Sequence, residues 1–368
     1  MNNDLEYWIW LSELPGIGPV LQKRLLDVFK NPFSIYQADK EALLSIPGIG
    51  YKLANAVFDS SSLDSAYKRL DELAKKRIKI LKYDDLKYPE HAKEWPHNPV
   101  IFYYQGNLKK CDQAVSIVGS RRCSAYSKRV CIDAAEYLAH QQIPVISGLA
   151  KGIDAIAHTA CLKAGGYTMA FPGSGFDHCY PKEHIRLQEK IIENGVIISQ
   201  FPPETKVHPK YFLKRNEQIA SFCKQILIVE AGAKSGALNT AQIAADLKRK
   251  ILVPPHEIYD SRGLGSNLLL QKTAEIYLDP RQLTDQYPSD FDANCADYMA
   301  KNTVDKKLTA NEEKIIELLD DCPKSILQLA EKTGFTEVTL LELLSDMELE
   351  GLLICQNGYY KLGQMNKK

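Results

Sequence analysis

The stretch Val115–Asp154 constrains the fold of this chain most. It opens with Val115-Ser116-Ile117-Val118-Gly119-Ser120-Arg121-Arg122 and closes with Val145-Ile146-Ser147-Gly148-Leu149-Ala150-Lys151-Gly152-Ile153-Asp154. Each half is a short apolar run that stops at a Gly/Ser turn. Between them runs a helical pattern, Ala125–His140. Strand, helix, strand is one βαβ unit. Its turns place glycines, hydroxyls and cations at the carboxyl ends of strands, where open α/β sheets bind ligands. Glycine lets the backbone approach a ligand, and free N–H groups at a helix start attract anions. A phosphate-holding face is the expectation.

The alternation continues. Apolar strand candidates are Val115–Val118, Pro144–Ser147, Tyr167–Phe171, Val196–Ser199, Ile226–Glu230 and Ile251–Pro254. Helical patterns fall between them at Ala125–His140, Ala155–Ala164, Pro181–Asn194, Tyr211–Phe222 and Ala237–Lys248. Nearly continuous apolar strands alternating with helices predict a doubly wound parallel sheet with right-handed connections. Ile78–Leu81 and Val100–Tyr104 read as two further short strands, with prolines between them.

The 368 residues suffice for two or three domains. Lys+Arg and Asp+Glu both number 46, so a nucleic-acid site has to be a local basic patch. Nine cysteines without a C-x-x-C pair argue against a disulfide framework and suit a cytoplasmic protein. The first ten residues lack a basic-then-apolar order, so no secretory leader is expected. No apolar run reaches the roughly 18–20 residues of a membrane span.

Residues 1–78 hold an internal repeat. Leu14-Pro15-Gly16-Ile17-Gly18 recurs as Ile46-Pro47-Gly48-Ile49-Gly50, each copy before a helical pattern. This resembles a tandem helix-hairpin-helix, an all-α module of the SAM-like kind. Its turns suit one phosphate each. A packing role and DNA contact both stay open, since only Lys23, Arg24 and Lys52 stand near. Residues 62–77 read as one amphipathic helix. The sheet domain is expected over 79–282 and a linker over 283–307, rich in Pro, Asp and Asn. Residues 308–368 read as three helices and a hairpin around Gln356-Asn357-Gly358, a winged-helix order. Its third helix carries Glu337, Glu342, Asp346, Glu348 and Glu350 without Lys or Arg. Phosphate would be repelled there, so protein contact or a structural role is expected of this domain.

The turns after the strands lack both G-x-G-x-x-G and G-x-x-x-x-G-K-[ST] spacing. What recurs is Gly/Ser beside Lys/Arg. Residues 205–216 add Lys206, Lys210, Lys214 and Arg215 with Tyr211 and Phe212 interleaved and no acid among them. Cations along a backbone with aromatics between them suit single-stranded nucleic acid. The competing reading packs Phe212 in the core and leaves the cations solvated. Catalytic groupings are scarce. His158 follows Asp154 at i+4 and reads as a structural hydrogen-bonder. His178, Cys179 and His184 lack a metal spacing. Glu230 is as suited to holding backbone N–H groups as to catalysis.

Several runs together resemble one family: Ile117-Val118-Gly119-Ser120-Arg121, Ser147-Gly148-Leu149-Ala150-Lys151-Gly152-Ile153-Asp154-x-x-Ala157-His158, Tyr180-Pro181, Arg215-Asn216 and Lys234-Ser235-Gly236-x-x-x-Thr240-Ala241. The chain is similar to the bacterial DNA-processing protein A family, DprA or Smf, over about residues 80–280. The resemblance implies an extended Rossmann-like fold that binds single-stranded DNA without cofactor or catalysis. It implies a homodimer through that domain, which loads the RecA recombinase onto the strand in natural transformation. By motif, Gly119, Ser120 and Arg121 would grip a phosphate, and Gly173 and Ser174 stand in the next Gly-rich turn. Phe212 would stack on a base. Lys210, Lys214, Arg215, Asn216, Lys234, Ser235 and Gly236 complete the expected DNA-binding set. Glu217 replaces the usual second Arg of Arg-Asn-Arg, removing one cation. Two alternatives are a phosphoribohydrolase-like nucleotide-hydrolysing enzyme and a nucleotide-sensing adaptor. Against the enzyme, Ser235–Ala244 lacks the carboxylate that such a loop places at its helix start.

Overall fold

The computed structural model describes residues 4–284, 308–320, 322–349, 352–356 and 358–362. They fall into two compact units, 1–284 and 285–368.

The first unit begins with six helices: α1 (Leu5–Glu13), α2 (Pro19–Phe29), α3 (Pro32–Tyr36), α4 (Lys40–Leu44), α5 (Tyr51–Asp59) and α6 (Asp64–Lys75). Both repeated turns rely on a glycine in the left-handed region, Gly16 at φ +77° and Gly48 at φ +91°. The turns close helix pairs around Trp8, Ile9, Leu11, Leu25, Ile35 and Leu43, all buried. The same core takes in Val100, Ile101 and Tyr103. The helical module and the sheet therefore share a hydrophobic interior.

The sheet has nine strands. They are β1 (Lys79–Lys82), β2 (Ile101–Gly106), β3 (Val115–Val118), β4 (Val145–Ser147), β5 (Thr168–Ala170), β6 (Val196–Ser199), β7 (Gln225–Ile228), β8 (Lys250–Val253) and β9 (Glu275–Ile276). A short helix, α7 (Glu90–Lys93), lies between β1 and β2. The others are α8 (Ala125–His140), α9 (Ile153–Lys163), α10 (Ile185–Asn194), α11 (Pro209–Ser221), α12 (Gly236–Asp246) and α13 (Leu264–Lys272). Strand order is β1-β2-β6-β5-β4-β3-β7-β8-β9. From β6 to β9 all pairs are parallel, as expected of helix-linked strands. β1–β2 and β2–β6 are antiparallel. The parallel expectation covered the strands from Val115 onward and holds for them; the two earlier short strands add an antiparallel edge. The order reverses at β3, which pairs with β4 on one side and β7 on the other. That is the switch point at which such sheets bind ligands.

The second unit contains α14 (Ala310–Asp320), β10 (Lys324–Ser325), α15 (Ile326–Thr333), α16 (Glu337–Leu349), β11 (Leu353–Gln356) and β12 (Tyr359–Leu362). The strands form an antiparallel sheet of order β10-β12-β11. Ile315, Leu319, Leu329, Leu340, Leu344 and Met347 make its core. A capping box, Ser325 with Gln328, starts α15, and left-handed Gly334 ends it. The two-residue β10 is too short for a sequence pattern to reveal. Most of the expected linker, residues 285–307, lies outside the described residues, as do Glu350 and Asn357.

One turn ties the opening βαβ unit together. Gly152 has φ +75°, and a Cβ there would collide with the Ser120 carbonyl oxygen and stand 2.8 Å from the Arg121 carbonyl carbon. The Ile153 N–H donates to that same Ser120 oxygen at 3.2 Å. Gly152→Ala is expected to cost about 1–3 kcal/mol in denaturant-unfolding free energy. A change below a few tenths would show that the two turns are not in register.

Candidate nucleic-acid interface

Three adjacent strands, β3, β4 and β5, run at their carboxyl ends into Gly119, Gly148 and Gly173. Each glycine admits a specific neighbour. A Cβ on Gly119 would lie 2.8 Å from Ile153 Cγ1, and one on Gly173 would lie 2.7 Å from Phe212 Cδ1. On Gly148 it would collide with the Arg215 guanidinium and come within 2.6 Å of Asp154 Oδ2. The absent side chains bring α11 and α9 onto the strand ends.

Arg215 is the floor of this arrangement. The residue is 4% exposed. Its Nη1 donates to the carbonyl of Gly148 and, at 2.8 Å, to that of Phe171, bridging the ends of β4 and β5. Its Nε donates to Asn216 Oδ1 at 3.2 Å, and Asp154 Oδ2 lies 4.0 Å from Nη1. Burial lowers the guanidinium's pKa from its ordinary value, against the pull of Asp154. Burial likewise lifts the Asp154 carboxyl, against the pull of Arg215. The expectation of Arg215 as an exposed cation is corrected here: the side chain is buried, with Nη1 and Nε donating to the protein's own carbonyls.

Phe212 stands above that floor, half-buried, on the first turns of α11. Tyr211 turns the other way, its ring 4.4 Å from that of Phe201. The Phe212 ring meets Tyr180 at 5.6 Å. The exposed Arg121 guanidinium lies over it at 5.4 Å, and Arg215 lies at 5.9 Å. Phe212 thus belongs to the surface of the site, and the reading that packs it in the core does not hold. Lys210, Lys214 and Lys234 are exposed. Asn216 Nδ2 donates to the Gly236 carbonyl at 3.3 Å, joining α11 to the start of α12. Ser235 is the N-cap there, its Oγ accepting from the Ala237 N–H at 3.3 Å. Ser120 Oγ accepts from the Arg122 N–H at 3.1 Å. Ser174 is 1% exposed and donates to the His178 carbonyl at 2.6 Å, so its hydroxyl shapes the loop from within.

Of the two roles open to Glu230, the structure shows the holding of backbone N–H groups. The start of α8 is already occupied by a carboxylate. Glu230 Oε2 accepts from the Ser124 N–H at 3.0 Å and from Ser127 Oγ at 2.8 Å, satisfying that positive helix end internally. The start of α8 is therefore not open to an anion. Glu217 is engaged too, accepting from Trp95 Nε1 at 2.8 Å. Sequence reasoning named Tyr180 only as part of a motif and not as the ring beside Phe212, and it missed Trp95 and the pairing of Asp154 with Arg215. Only the tight S-G-x-A-x-G-I-D run hinted at the last.

His158 is fully buried. Thr168 Oγ1 donates to the Val145 carbonyl at 2.9 Å, so its lone pair receives the His158 Nδ1–H at 2.6 Å. Burial first, and the positive fields of Arg215 and His184 second, push its pKa down to about 3. Among the described residues no group of His, Cys, Asp and Glu could hold a metal ion, and no helix is long and apolar enough to cross a membrane.

A switch-point site on a mixed sheet, with a tandem hairpin module packed at its edge, defines a Rossmann-like α/β protein of extended type. Residues 79–288 match the family described as DNA recombination-mediator protein A, and residues 11–59 match the SAM-like helix-hairpin-helix tandem. The chain is 33% identical over 287 residues to protein Smf of Synechocystis sp., covering 77% of this chain and 72% of that protein. The solved structure of DNA processing protein A from Streptococcus pneumoniae aligns with TM-score 0.67 at 26% identity, over 77% of this chain and 99% of that one. The Helicobacter pylori protein, whose structure is described for its single-stranded DNA binding mode, aligns with TM-score 0.51 at 26% identity, over 56% of this chain and 93% of that one. The chain belongs to the DNA recombination-mediator protein A family.

Two outcomes follow from the buried groups. Asp154→Ala leaves the Arg215 charge without its carboxylate and is expected to destabilise the fold by about 3–5 kcal/mol in denaturant titration. The folded His158 is neutral well below the ordinary pKa of about 6.5. The unfolded chain therefore takes up its proton first, and this residue's contribution to stability falls as pH drops from about 6.5 towards about 3. NMR of the imidazole is expected to show no titration near 6.5; a midpoint there would contradict the buried assignment.

Proposed function

We propose that this chain binds single-stranded DNA across the carboxyl ends of β3–β5 and delivers it to RecA, without catalysing a reaction on it. The observation that carries this reading is the half-buried Phe212 ring, seated on Gly173 with the exposed Arg121 over it. A ring of this kind offers a stacking platform for a base, and Arg121 offers a planar fork to the adjoining phosphate. Lys210, Lys214 and Lys234, all exposed, extend the positive surface along a strand. The Helicobacter pylori relative's described binding of single-stranded DNA supports the same reading.

The enzymatic alternative finds little support among the polar groups. Glu230 caps α8, His158 is buried and hydrogen-bonded, and Asp154 is held beside Arg215. None is poised to move a proton on a ligand. The homodimer belongs to the same reading. On the outer edge of the sheet, Tyr259, Leu264, Leu268, Ile276 and Leu278 are exposed around α13 and the edge strand β9. Such apolar exposure suits a two-fold contact between copies. The acidic α16 of the second unit suits protein contact, and a cytoplasmic location suits a partner of RecA.

Fluorescence anisotropy with labelled oligo-dT across a salt series tests this. Affinity is expected to fall with salt at a log–log slope of about −0.7 per phosphate neutralised. Arg121→Ala is expected to weaken binding and to make the slope shallower by about 0.7. Preference for duplex, or calorimetric binding of mononucleotides with no gain for the oligomer, overturns the reading.

A further inference from the structure

The helical module grips the rim of the proposed site at several points. Two loops frame Phe212 and its helix: the one after β5, with Gly173, Asp177 and Tyr180, and the one before α11, with Glu204. They are joined to one another. The Gly175 N–H donates to the Thr205 carbonyl and the Asp177 N–H to the Pro203 carbonyl, both at 2.9 Å. A Cβ on Gly175 would collide with the carbonyls of Pro202 and Pro203, so the two backbones lie in contact.

Helix α6 then holds both loops. Arg69 makes a bidentate pair with Glu204, Nη1 to Oε2 at 2.6 Å and Nη2 to Oε1 at 2.8 Å. Glu13 and Glu72 stand 3.5 and 3.1 Å from the same guanidinium and fix it from the module's side. About two turns further on, at the C-cap of α6, Lys76 Nζ meets Asp177 Oδ2 at 2.6 Å. Between these ion pairs Phe176 packs against the module's core. A further tether reaches α11 itself. The buried Lys23 of α2 donates to the Trp95 carbonyl at 2.9 Å, and the Trp95 indole donates to Glu217 of α11.

From this geometry we infer that Arg69 is a positioning residue for strand binding: through Glu204 it holds the paired loops that set Tyr180 and Phe212. The inference rests on the single-stranded DNA reading above and deepens it. The module acts as scaffold for the site whether or not its hairpins meet DNA. An isolated surface ion pair contributes little, about 0–1 kcal/mol. This one differs in being bidentate, four-membered and only 16% exposed on the arginine side chain.

The test uses the full chain, labelled oligo-dT and the same salt series, with thermal melting alongside. Arg69→Ala and Glu204→Gln are each expected to weaken affinity roughly threefold to tenfold, and the double variant no more than the worse single one. Because Arg69 neutralises no phosphate, the salt slope is expected to stay at the wild-type value, unlike that of Arg121→Ala. Arg69→Lys, which keeps the charge and loses the fork, is expected to fall between. Unchanged affinity in a folded Glu204→Gln variant overturns the inference. A shallower slope for Arg69→Ala overturns it too, by making Arg69 a direct contact. Wild-type protein that fails to bind oligo-dT overturns the reading beneath it, and this inference with it.

Discussion

A buried guanidinium joins the parts of this site. Arg215 reaches from α11 to the carbonyls that end β4 and β5, with Asp154 of α9 beside it. Strand ends leave carbonyls without a ladder partner, and buried ones need a donor. Arginine supplies several donors in one rigid plane, so one side chain can serve two strand ends and an asparagine together. Glycine at 148 is the condition for this, since both the guanidinium and the Asp154 carboxylate occupy the space a Cβ would take. With α11 held in that place, Phe212 comes to rest on Gly173 and beneath Arg121.

The consequence is a division of labour between two arginines on either side of one ring. Arg215 is charged and inaccessible; its charge steadies the floor and contributes a field. Arg121 is charged and exposed, and on the proposed reading it exchanges the ring for a phosphate. The dipole of α8 takes no comparable part, because Glu230 fills its start from below. In a chain with zero net charge, attraction for a strand then depends on a few exposed cations placed around one aromatic ring.

Much of the fold was legible. The bounds of β3, α8 and β6 agree with the sequence pattern to the residue, where apolar periodicity and a cap such as Ser124 coincide. The antiparallel edge was not legible, because β1 and β2 are short, flank prolines and lack a crossover that would fix their direction. At the site, the glycine turns and the basic-aromatic run were visible. The burial of Arg215 was not: in a run of lysines an arginine reads as solvated, and its partners come from 44 and 67 residues away. Arg69 and Glu204, 135 residues apart, were invisible for the same reason.

Photocrosslinking of an oligo-dT carrying 4-thiothymidine, followed by mass-spectrometric mapping of the attached peptide, tests the placement of the strand most directly. Adducts are expected on the segments Gly119–Arg122 and Lys210–Asn216, with Phe212 among the modified residues. Adducts confined to the helical module or to residues 308–362 would contradict a strand lying on the ends of β3–β5.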